Sequence, residues 1–186
     1  MKKSFSVVFV FCLLLLLTSC GTSGDSLDSL CNLIGSKIET YKFYNTSETD
    51  IEEVINKDLD ENYYDSQYNY NFNNGENSDV GTLKDISIRP SMISFYVKDG
   101  IICKIEINFG FDDKQNSKEN SIYKWLKDKE NNNQATIGAV REESFITYEK
   151  SYDAKVSINN KSYKINVKTI SFSKGDSFKT PVIIIE

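Results

Sequence analysis

The stretch MISFYVKDGIICKIEINF, residues 92–109, decides the fold. Two runs rich in β-branched and aromatic residues, 92–97 and 101–109, flank the dipeptide Asp99-Gly100. This dipeptide is typical of a two-residue hairpin turn, because both turn positions adopt a positive φ. In the second run apolar residues alternate with mostly polar ones, which predicts a strand with one buried and one mostly wet face. The residues expected on the buried face are Ile101, Cys103, Ile105, Ile107 and Phe109.

Three helices are predicted to pack on this sheet. The first is about 16 residues long by its apolar spacing, begins at a cap formed by Asp25 or Ser26, and carries a stripe of Leu27, Leu30, Cys31, Ile34, Ile38 and Tyr41. The second begins with the capping-box pattern Thr49-Asp50-Ile51-Glu52 and presents on one face Ile51, Val54, Ile55 and Leu59. The third runs from Ser117 to about Glu130 and presents Ile122, Tyr123, Trp125 and Leu126.

The remaining chain predicts strands at 144–149, 154–158, 162–170 and 181–186, with turns at Asn159-Asn160 and 174–176. The order of elements lacks the βαβ units of a parallel sheet. It predicts the α+β class, in which two N-terminal helices and one mid-chain helix pack on a twisted antiparallel sheet. Residues 25–186 are expected to form a single domain. The element order is loosely similar to that of the cone-shaped NTF2-like lipoproteins, a likeness of fold that implies no function.

Residues 1–20 have the layout of an export signal. Lys2 and Lys3 give a cationic start, and the apolar run 7–17 has the length of a signal-peptide core. That run is shorter than the roughly 20 residues that a transmembrane helix needs. The segment ends in Leu17-Thr18-Ser19-Cys20, which resembles the lipobox of bacterial lipoproteins: a branched apolar residue, two small residues and a cysteine.

This resemblance implies that residues 1–19 are a cleaved signal peptide and that Cys20 becomes a diacylglyceryl cysteine, with a further acyl chain such as palmitate on its amino group. Two or three chains anchor a protein stably, where one chain gives only marginal binding. Residues 20–24 then form the lipidated end and a short flexible tether. The implied location is the cell envelope, and in a diderm bacterium the outer membrane, because Gly21 rather than Asp follows the cysteine. The alternative is an ordinary secretory signal with an incidental cysteine.

Two further cysteines remain in the mature chain. Cys31 lies on the apolar stripe of the first predicted helix and Cys103 on the apolar face of the hairpin strand, so a disulfide between helix and sheet is one expectation. Two reduced cysteines that pack as small apolar side chains are the alternative.

The stretch 62–77 interleaves aromatic residues with asparagines. Tyr68, Tyr70 and Phe72 alternate with amides, so a strand there would place three rings on one face. Rings beside amides suit contact with a glycan or a peptide, which makes these three residues candidate ligand contacts. The alternative is an edge strand whose rings belong to the core.

Composition limits the chemistry. The 186 residues contain no His, which excludes Ser-His-Asp and Cys-His nucleophiles and His-ligated metals. A net charge of −5 argues against nucleic acid as a partner. The acidic stretch 48–65 lacks the glycine and the final glutamate of a calcium loop, and no cofactor motif is present. The sequence therefore predicts a non-enzymatic envelope lipoprotein without metal or cofactor, whose partner beyond the membrane is an envelope protein or a glycan. The alternatives are a small envelope hydrolase and a protein inhibitor or immunity-type lipoprotein.

Overall fold

The chain is organised around one antiparallel sheet. The computed structural model describes residues 26–40, 51–56, 64–72, 81–111, 117–144, 146–174 and 179–186. Within these residues nine strands form a single sheet, and two α-helices and one short 3-10 turn accompany it. The predicted α+β class and the antiparallel sheet are therefore confirmed. The predicted signal peptide, Cys20 and the tether all lie outside the described residues.

The helices are α1 (Leu27–Leu33) and α2 (Ser117–Asn131), and the 3-10 turn is Ile38–Thr40. The strands are β1 (Ile51–Asn56), β2 (Ser66–Phe72), β3 (Met92–Lys98), β4 (Ile101–Asn108), β5 (Ala135–Ile137), β6 (Arg141–Ser144), β7 (Tyr148–Ile158), β8 (Lys161–Ser171) and β9 (Lys179–Ile185). Their order across the sheet is β1-β2-β3-β4-β9-β8-β7-β5, and β6 also pairs with β7. Among the described residues, neither helix is long and apolar enough to span a bilayer.

Two tight turns set the register of the central hairpins. Asp99 and Gly100 adopt φ values of 52° and 75°, and they join β3 to β4 as predicted. Asn159 and Asn160 adopt φ values of 51° and 64° and join β7 to β8. Both turns have positive φ at both positions, which matches the right-handed twist of the strands on either side. Because each turn has two residues, strand residues at equal distances from it face each other, along all of β7 and β8 and for the first two pairs of β3 and β4.

One face of the sheet carries the core and is called here the core face. A continuous row of apolar side chains crosses it through the register partners Phe95, Ile105, Ile185, Ile165 and Ala154. All five are buried. Helix α1 buries Leu27, Leu30, Cys31 and Leu33 in the same cluster, and α2 buries Ile122, Trp125 and Leu126. The opposite face, called here the outer face, is where polar residues concentrate.

The two helices are joined by polar contacts at the edge of this core. Ser26 caps α1, since its Oγ accepts a hydrogen bond from the backbone N–H of Ser29 at 3.0 Å. The carboxylate of Asp85 accepts from the backbone N–H groups of Leu27 and Asp28, which satisfies two further free donors of this helix end. Asp28 Oδ1 in turn accepts from Trp125 Nε1 at 3.2 Å and so ties α1 to α2.

The prediction of a helix at 49–59 is wrong within its described part, because Ile51–Asn56 is strand β1 and pairs with β2 from Ile51↔Phe72 to Asn56↔Gln67. The apolar residues of this segment are β-branched, which favours a strand over a helix. Strand β2 also has an open edge that β1 covers. Residues 49, 50 and 57–59 lie outside the described residues. Two helices, rather than the three predicted, are therefore found in the described chain.

The first helix is shorter than predicted. It begins at the expected cap but ends at Leu33, because Gly35 adopts a φ of 84° and turns the chain away from the helix axis. The N–H of Gly35 then donates to Ile102 O at 2.8 Å, and Ile102 N donates to Ser36 O at 2.9 Å. The chain after α1 therefore continues as a short pairing partner for the start of β4. The end of the predicted stripe, Tyr41, lies outside the described residues.

A β-bulge in β4 overturns part of the predicted face pattern. Tyr96 pairs with Lys104 but Val97 pairs with Ile102, so Cys103 is an extra residue in β4. The bulge shifts the alternation by one position. Ile102 is consequently fully buried, whereas Ile101 and Cys103 are only half-buried. Ile105, Ile107 and Phe109 lie in the core as predicted.

The C-terminal strands differ from prediction in their boundaries. The predicted strands 144–149 and 154–158 are largely one strand, β7, while Ser144 ends the separate strand β6. Strand β8 extends one residue beyond the predicted range at each end, and β9 begins at Lys179 rather than Pro181. The predicted third helix is α2. Of the predicted turn 174–176, only Lys174 lies in the described chain.

Candidate functional site

The candidate aromatic contacts lie on the core face. Tyr68 and Tyr70 are register partners of Phe95 and Ile93, and both pack against the buried cluster. The rings of Tyr70 and Phe95 meet edge to face, with centroids 5.5 Å apart. Phe72 is buried. This arrangement matches the core-strand alternative rather than a ring surface presented to a ligand. The two interpretations both predicted a strand in which rings alternate with amides, and strand β2 has this form.

The two cysteines are not bonded to each other. Cys31 and Cys103 are free thiols, the first fully buried and the second half-buried. Burial raises the pKa of the Cys31 thiol, and the neighbouring Asp28 carboxylate adds to that effect. Cys103 Sγ lies 3.4 Å from Ile101 O, to which the thiol donates within the bulge. The arrangement matches the reduced alternative, in which Cys31 acts as a small apolar side chain of the core.

A cleft on the outer face gathers polar side chains that the motif search did not single out. It has a volume of about 950 Å³ and is formed by β5, β6, β7, β8 and the end of β9. Its residues are Thr136, Gly138, Arg141, Glu143, Glu149, Ser151, Asp153, Ala154, Lys155, Lys164, Ile165, Asn166, Lys168, Ile184 and Glu186. Most of them are charged or polar, so the cleft suits a hydrophilic ligand.

An interruption between β5 and β6 shapes one wall of the cleft. Strand β5 pairs with β7 up to Ile137↔Ala154, and pairing with β7 resumes in β6 at Arg141↔Ser151. The segment between β5 and β6 is therefore one residue longer than the stretch of β7 that it faces. The N–H of Gly138 donates to Asp153 O at 2.8 Å at this point. Bulges of this kind occur often beside binding sites, where they redirect a side chain. Here the side chain that follows the bulge, Arg141, reaches back over β7 to Asp153.

The carboxylate of Asp153 is held by two neighbours in the centre of the cleft. Asn166 Nδ2 donates to Asp153 Oδ1 at 2.7 Å, and Arg141 Nη2 lies 2.8 Å from Oδ2. The hydrogen bond from Asn166 and the charge of Arg141 lower the pKa of Asp153. A general acid needs the opposite shift, because it must carry a proton near neutral pH. Asp153 is therefore suited to organising the cleft rather than to donating a proton.

Charges in the rest of the cleft are separated into two ends. At one end, Glu143 and Glu149 are direct register partners, and Lys168 Nζ lies 3.5 Å from Glu149 Oε1. At the other end, Lys155 and Lys164 are direct register partners across β7 and β8. No carboxylate among the described residues lies within ion-pairing distance of either lysine. Glu186, which also lines the cleft, is the backbone partner of Lys164, so this end holds a carboxylate beside its two lysines.

A second polar cluster lies on the outer face of β3 and β4. Lys104 Nζ lies 3.5 Å from the ring centroid of Tyr96 and 5.1 Å from that of Tyr64. Tyr96 also donates to Glu106 Oε2 at 3.4 Å, and burial followed by the charge of Glu106 raises the pKa of Tyr96 to about 12. The cation-π contacts and the hydrogen bond satisfy the members of this cluster among themselves. The cluster fits a structural role.

A third cluster is buried between α2 and the sheet. The carboxylate of Glu119 lies 2.9 Å from Lys150 Nζ and 3.8 Å from Lys179 Nζ. The Tyr152 hydroxyl is buried without a hydrogen-bond partner among the described residues. Burial raises the pKa of Tyr152, and the charge of Glu119 adds to the shift. Glu119 is nearly buried while the two lysines keep partial contact with solvent, and the cluster fits a structural role as well.

Comparison with protein-family models, with curated proteins and with solved structures found no match for this chain. In the part of the chain that the structure describes, no three potential metal-ligating side chains come together.

The lysine pair was missed in the sequence although a signal for it exists. The Asn159-Asn160 turn was predicted from the sequence. Lys155 lies four residues before Asn159 and Lys164 lies four residues after Asn160, so the two lysines stand equally far from this two-residue turn. That symmetry alone places the two lysines opposite each other. The cleft itself required knowledge of how β5 and β6 line the edge of β7, which no local pattern contains.

Proposed function

We propose that this chain is a lipid-anchored binding module of the bacterial cell envelope, which holds a hydrophilic ligand in the cleft of its outer face without transforming it. The single observation that carries the binding role is the cleft of about 950 Å³ with its charged and amide-bearing side chains. A volume of this size lies within the range of small-molecule binding sites. The lowered pKa of Asp153 argues against that residue as a general acid.

The proposed anchor rests on the sequence 17–20, which resembles a lipobox. A lipid on Cys20 would leave only residues 21–25 between the membrane and the cap of α1 at Ser26. Five residues reach at most about 18 Å when fully extended. The binding domain would therefore work close to the membrane surface.

The experiment that tests the anchor is intact-mass analysis of protein extracted from membranes, alongside the Cys20→Ala variant. We expect the wild-type protein to begin at Cys20 and to carry acyl mass on that residue. We expect the variant to lack this mass and to leave the membrane fraction. A wild-type mass without lipid, or a variant that still fractionates with membranes, would contradict the proposed anchor.

A second candidate function, a protein inhibitor or immunity-type factor, is favoured by one specific observation. Phe111, Ile146 and Phe172 are 68%, 84% and 72% exposed. They follow β4, β6 and β8, and the register brings the ends of these strands to one end of the sheet through Asn108↔Val182, Ser171↔Lys179 and Ser144↔Tyr148. Exposed apolar groups at one end of a fold are typical of contact with another protein.

A pull-down with detergent-solubilised protein separates the two candidates. An inhibitor should retain a stoichiometric protein partner in the wild type and lose it in a Phe172→Ser variant. A Lys164→Gln variant, altered in the cleft, should keep that partner. If no partner is retained, or if the Phe172 change has no effect on one that is, the inhibitor function is rejected.

A further inference from the structure

Three exposed apolar side chains stand at one end of the sheet, which is called here the apolar end. Phe111 follows β4, Phe172 follows β8, and Ile146 lies between β6 and β7. These strands lie in the order β4-β9-β8-β7, with β6 beside β7. At about 4.8 Å between neighbouring strands, the row is about 19 Å long. Single apolar side chains are ordinary on a protein surface, whereas several grouped together mark a contact site.

The segment that carries Phe111 is held in place from behind. Lys118, at the start of α2, donates from Nζ to Phe109 O at 2.8 Å and to Phe111 O at 3.0 Å. The N–H of Gly110 donates to Asn108 Oδ1 at 2.8 Å. These backbone groups are satisfied within the protein, while the side chain of Phe111 stays exposed. A projection that is already ordered loses little conformational entropy when it binds.

The direction of helix α1 shows on which side of the domain the preceding chain begins. The C-terminal end of α1 lies beside the turn that joins β3 to β4, at the end of the sheet opposite the apolar end, since Gly35 N donates to Ile102 O there. The N-terminal end of α1 is held by Asp85, whose carboxylate accepts from the N–H groups of Leu27 and Asp28. The position of Asp85 therefore fixes where α1 begins.

Asp85 belongs to the segment 81–91, which is attached to the apolar end at both of its own ends. Gly81 lies so close to Phe72, the last residue of β2, that a Cβ on it would stand 2.3 Å from the ring. Ser91 O accepts from Phe72 N at 2.9 Å, and Ser91 Oγ donates at 2.9 Å to the carbonyl oxygen of Asn108, the last residue of β4. Asp85 is four residues from Gly81 and so lies at most about 14 Å from it. Helix α1 thus begins on the side of the apolar end and runs away from it.

The proposed anchor would place a membrane on that same side. Residues 21–25, between Cys20 and the cap of α1 at Ser26, reach at most about 18 Å. We infer that Phe111, Ile146 and Phe172 enter the interface of the bilayer that holds the lipid of Cys20, so that the apolar end is a second membrane contact of the domain. Apolar and aromatic side chains are stable at the boundary between headgroups and acyl chains. This inference rests on the proposed anchor, and the direction of α1 favours a bilayer over a protein as the partner of this surface.

The contact would depend on apolar burial rather than on charge. A net charge of −5 gives no overall attraction to anionic headgroups. Two lysines beside the apolar end are engaged within the protein, since Lys118 donates to backbone carbonyls and Lys174 Nζ lies 2.8 Å from Glu142 Oε2. Burial of apolar surface is not screened by sodium chloride as ion pairs are. We therefore expect the contact on vesicles of zwitterionic phosphatidylcholine, and we expect it to persist when salt is raised.

Tryptophan quenching by brominated lipid tests the inference on the lipidated full chain, reconstituted in phosphatidylcholine vesicles. Phe111→Trp and Phe172→Trp each place a reporter at the apolar end. Lys161→Trp is the matched control, because Lys161 is exposed and follows the Asn159-Asn160 turn at the opposite end of the sheet. The native Trp125 is buried, and wild-type protein measured in parallel gives its background. We expect both apolar-end reporters to emit at shorter wavelength on vesicles and to lose intensity with brominated lipid, and we expect Lys161→Trp to do neither.

A second substitution separates a contact made by the apolar end from mere closeness to the anchor. Adding Phe172→Ser to the Phe111→Trp protein removes a neighbouring apolar contact, so the quenching and the wavelength shift should both decrease. Adding Val140→Ser is the matched control. Val140 is 51% exposed but lies between β5 and β6, opposite the middle of β7, and its loss should change neither signal. All these side chains are exposed, so the substitutions should leave the fold intact.

The outcomes distinguish the inference from the anchor on which it rests. If the apolar-end reporters are quenched no more than Lys161→Trp while acyl mass is present on Cys20, the inference is wrong and the anchor stands. If the wild-type protein lacks acyl mass and does not float with vesicles, both are overturned. If the reporters respond only when an envelope protein is added, the apolar end binds that protein and the inference is wrong.

Discussion

The buried ion cluster of Glu119, Lys150 and Lys179 allows a stability prediction whose size follows from its burial. The side chain of Glu119 is 11% exposed, and its distances to the two ammonium nitrogens are 2.9 Å and 3.8 Å. Replacing Glu119 with Ala removes the carboxylate and leaves two lysines, 37% and 26% exposed, without their shared partner. Breaking a fully buried pair costs about 3–5 kcal/mol, whereas exposed pairs contribute about 0–1 kcal/mol. Because the lysines retain partial access to water, we expect a loss of about 2 kcal/mol.

The assay is urea unfolding at neutral pH, supported by thermal unfolding. A domain of this size loses about 2–4 °C in Tm for each kcal/mol, so the variant should melt about 4–8 °C below wild type. Glu142→Ala is the matched control, because Glu142 and Lys174 also meet at 2.8 Å but are 45% and 74% exposed. We expect no measurable change in that variant. If Glu119→Ala is as stable as the control, the carboxylate is not buried between α2 and the sheet, and the packing described for α2 is wrong.

Three further outcomes are expected. A thiol reagent should modify Cys103 quickly under native conditions and Cys31 only after unfolding, because Cys31 is fully buried and burial raises the pKa of its thiol. Equal rates for the two thiols, or thiols that react only after reduction, would contradict the free-thiol arrangement. Removing the unpartnered hydroxyl in Tyr152→Phe should leave the protein as stable or raise its free energy of unfolding by about 1 kcal/mol. A tyrosine whose pKa is raised on folding contributes stability that is lost as pH rises above its unfolded pKa of about 10. The Tyr152→Phe variant should therefore also unfold less readily than wild type above that pH. If the free energy of unfolding of the two proteins falls in the same way at alkaline pH, this view is contradicted. Gly100→Ala should cost about 1 kcal/mol in urea unfolding, because φ is 75° there, and Gly100→Asn should cost less, since asparagine tolerates that region better; equal losses would argue against the turn described.

Local sequence signals were sufficient where structure is set by neighbours along the chain. The Asp99-Gly100 and Asn159-Asn160 turns define two hairpins from their own residues alone. Helix α2 was recognised because Ile122, Tyr123, Trp125 and Leu126 fall at helical spacing between Ser117 and the asparagines that begin at Asn131. In each of these elements, local propensity and the tertiary arrangement favour the same structure.

Predictions failed where a distant partner decides the structure. The segment of β1 carries a helix-like spacing of apolar residues, yet the open edge of β2 binds it as a strand. A window of a few residues contains no information about that edge. Helix α1 was predicted too long although Gly35 is a usual helix terminator, because the apolar spacing in the sequence continues past it through Ile38 to Tyr41. The residues after Gly35 instead pair with the start of β4.

The bulge at Cys103 shows how one residue can redirect a functional prediction. A strict alternation from Ile101 to Phe109 placed Cys103 among the core residues, and the expectation of a disulfide depended on that placement. One inserted residue reverses the face of everything before it, so Ile102 is buried in its stead. The aromatic strand was affected differently. Its alternation was recognised, but alternation alone does not tell which face of a strand meets the core.

The central claim, a ligand site in the outer-face cleft, is tested most directly by backbone NMR of isotope-labelled protein titrated with two hydrophilic probes, glucose and glucuronate. We expect the amide signals that move to cluster on β7 and β8 at the cleft, around Asp153, Lys155 and Asn166. Shifts that cluster instead at Tyr64 and Tyr96 or at the exposed end of the sheet, or a spectrum that both probes leave unchanged, would contradict the assignment of the site to this cleft.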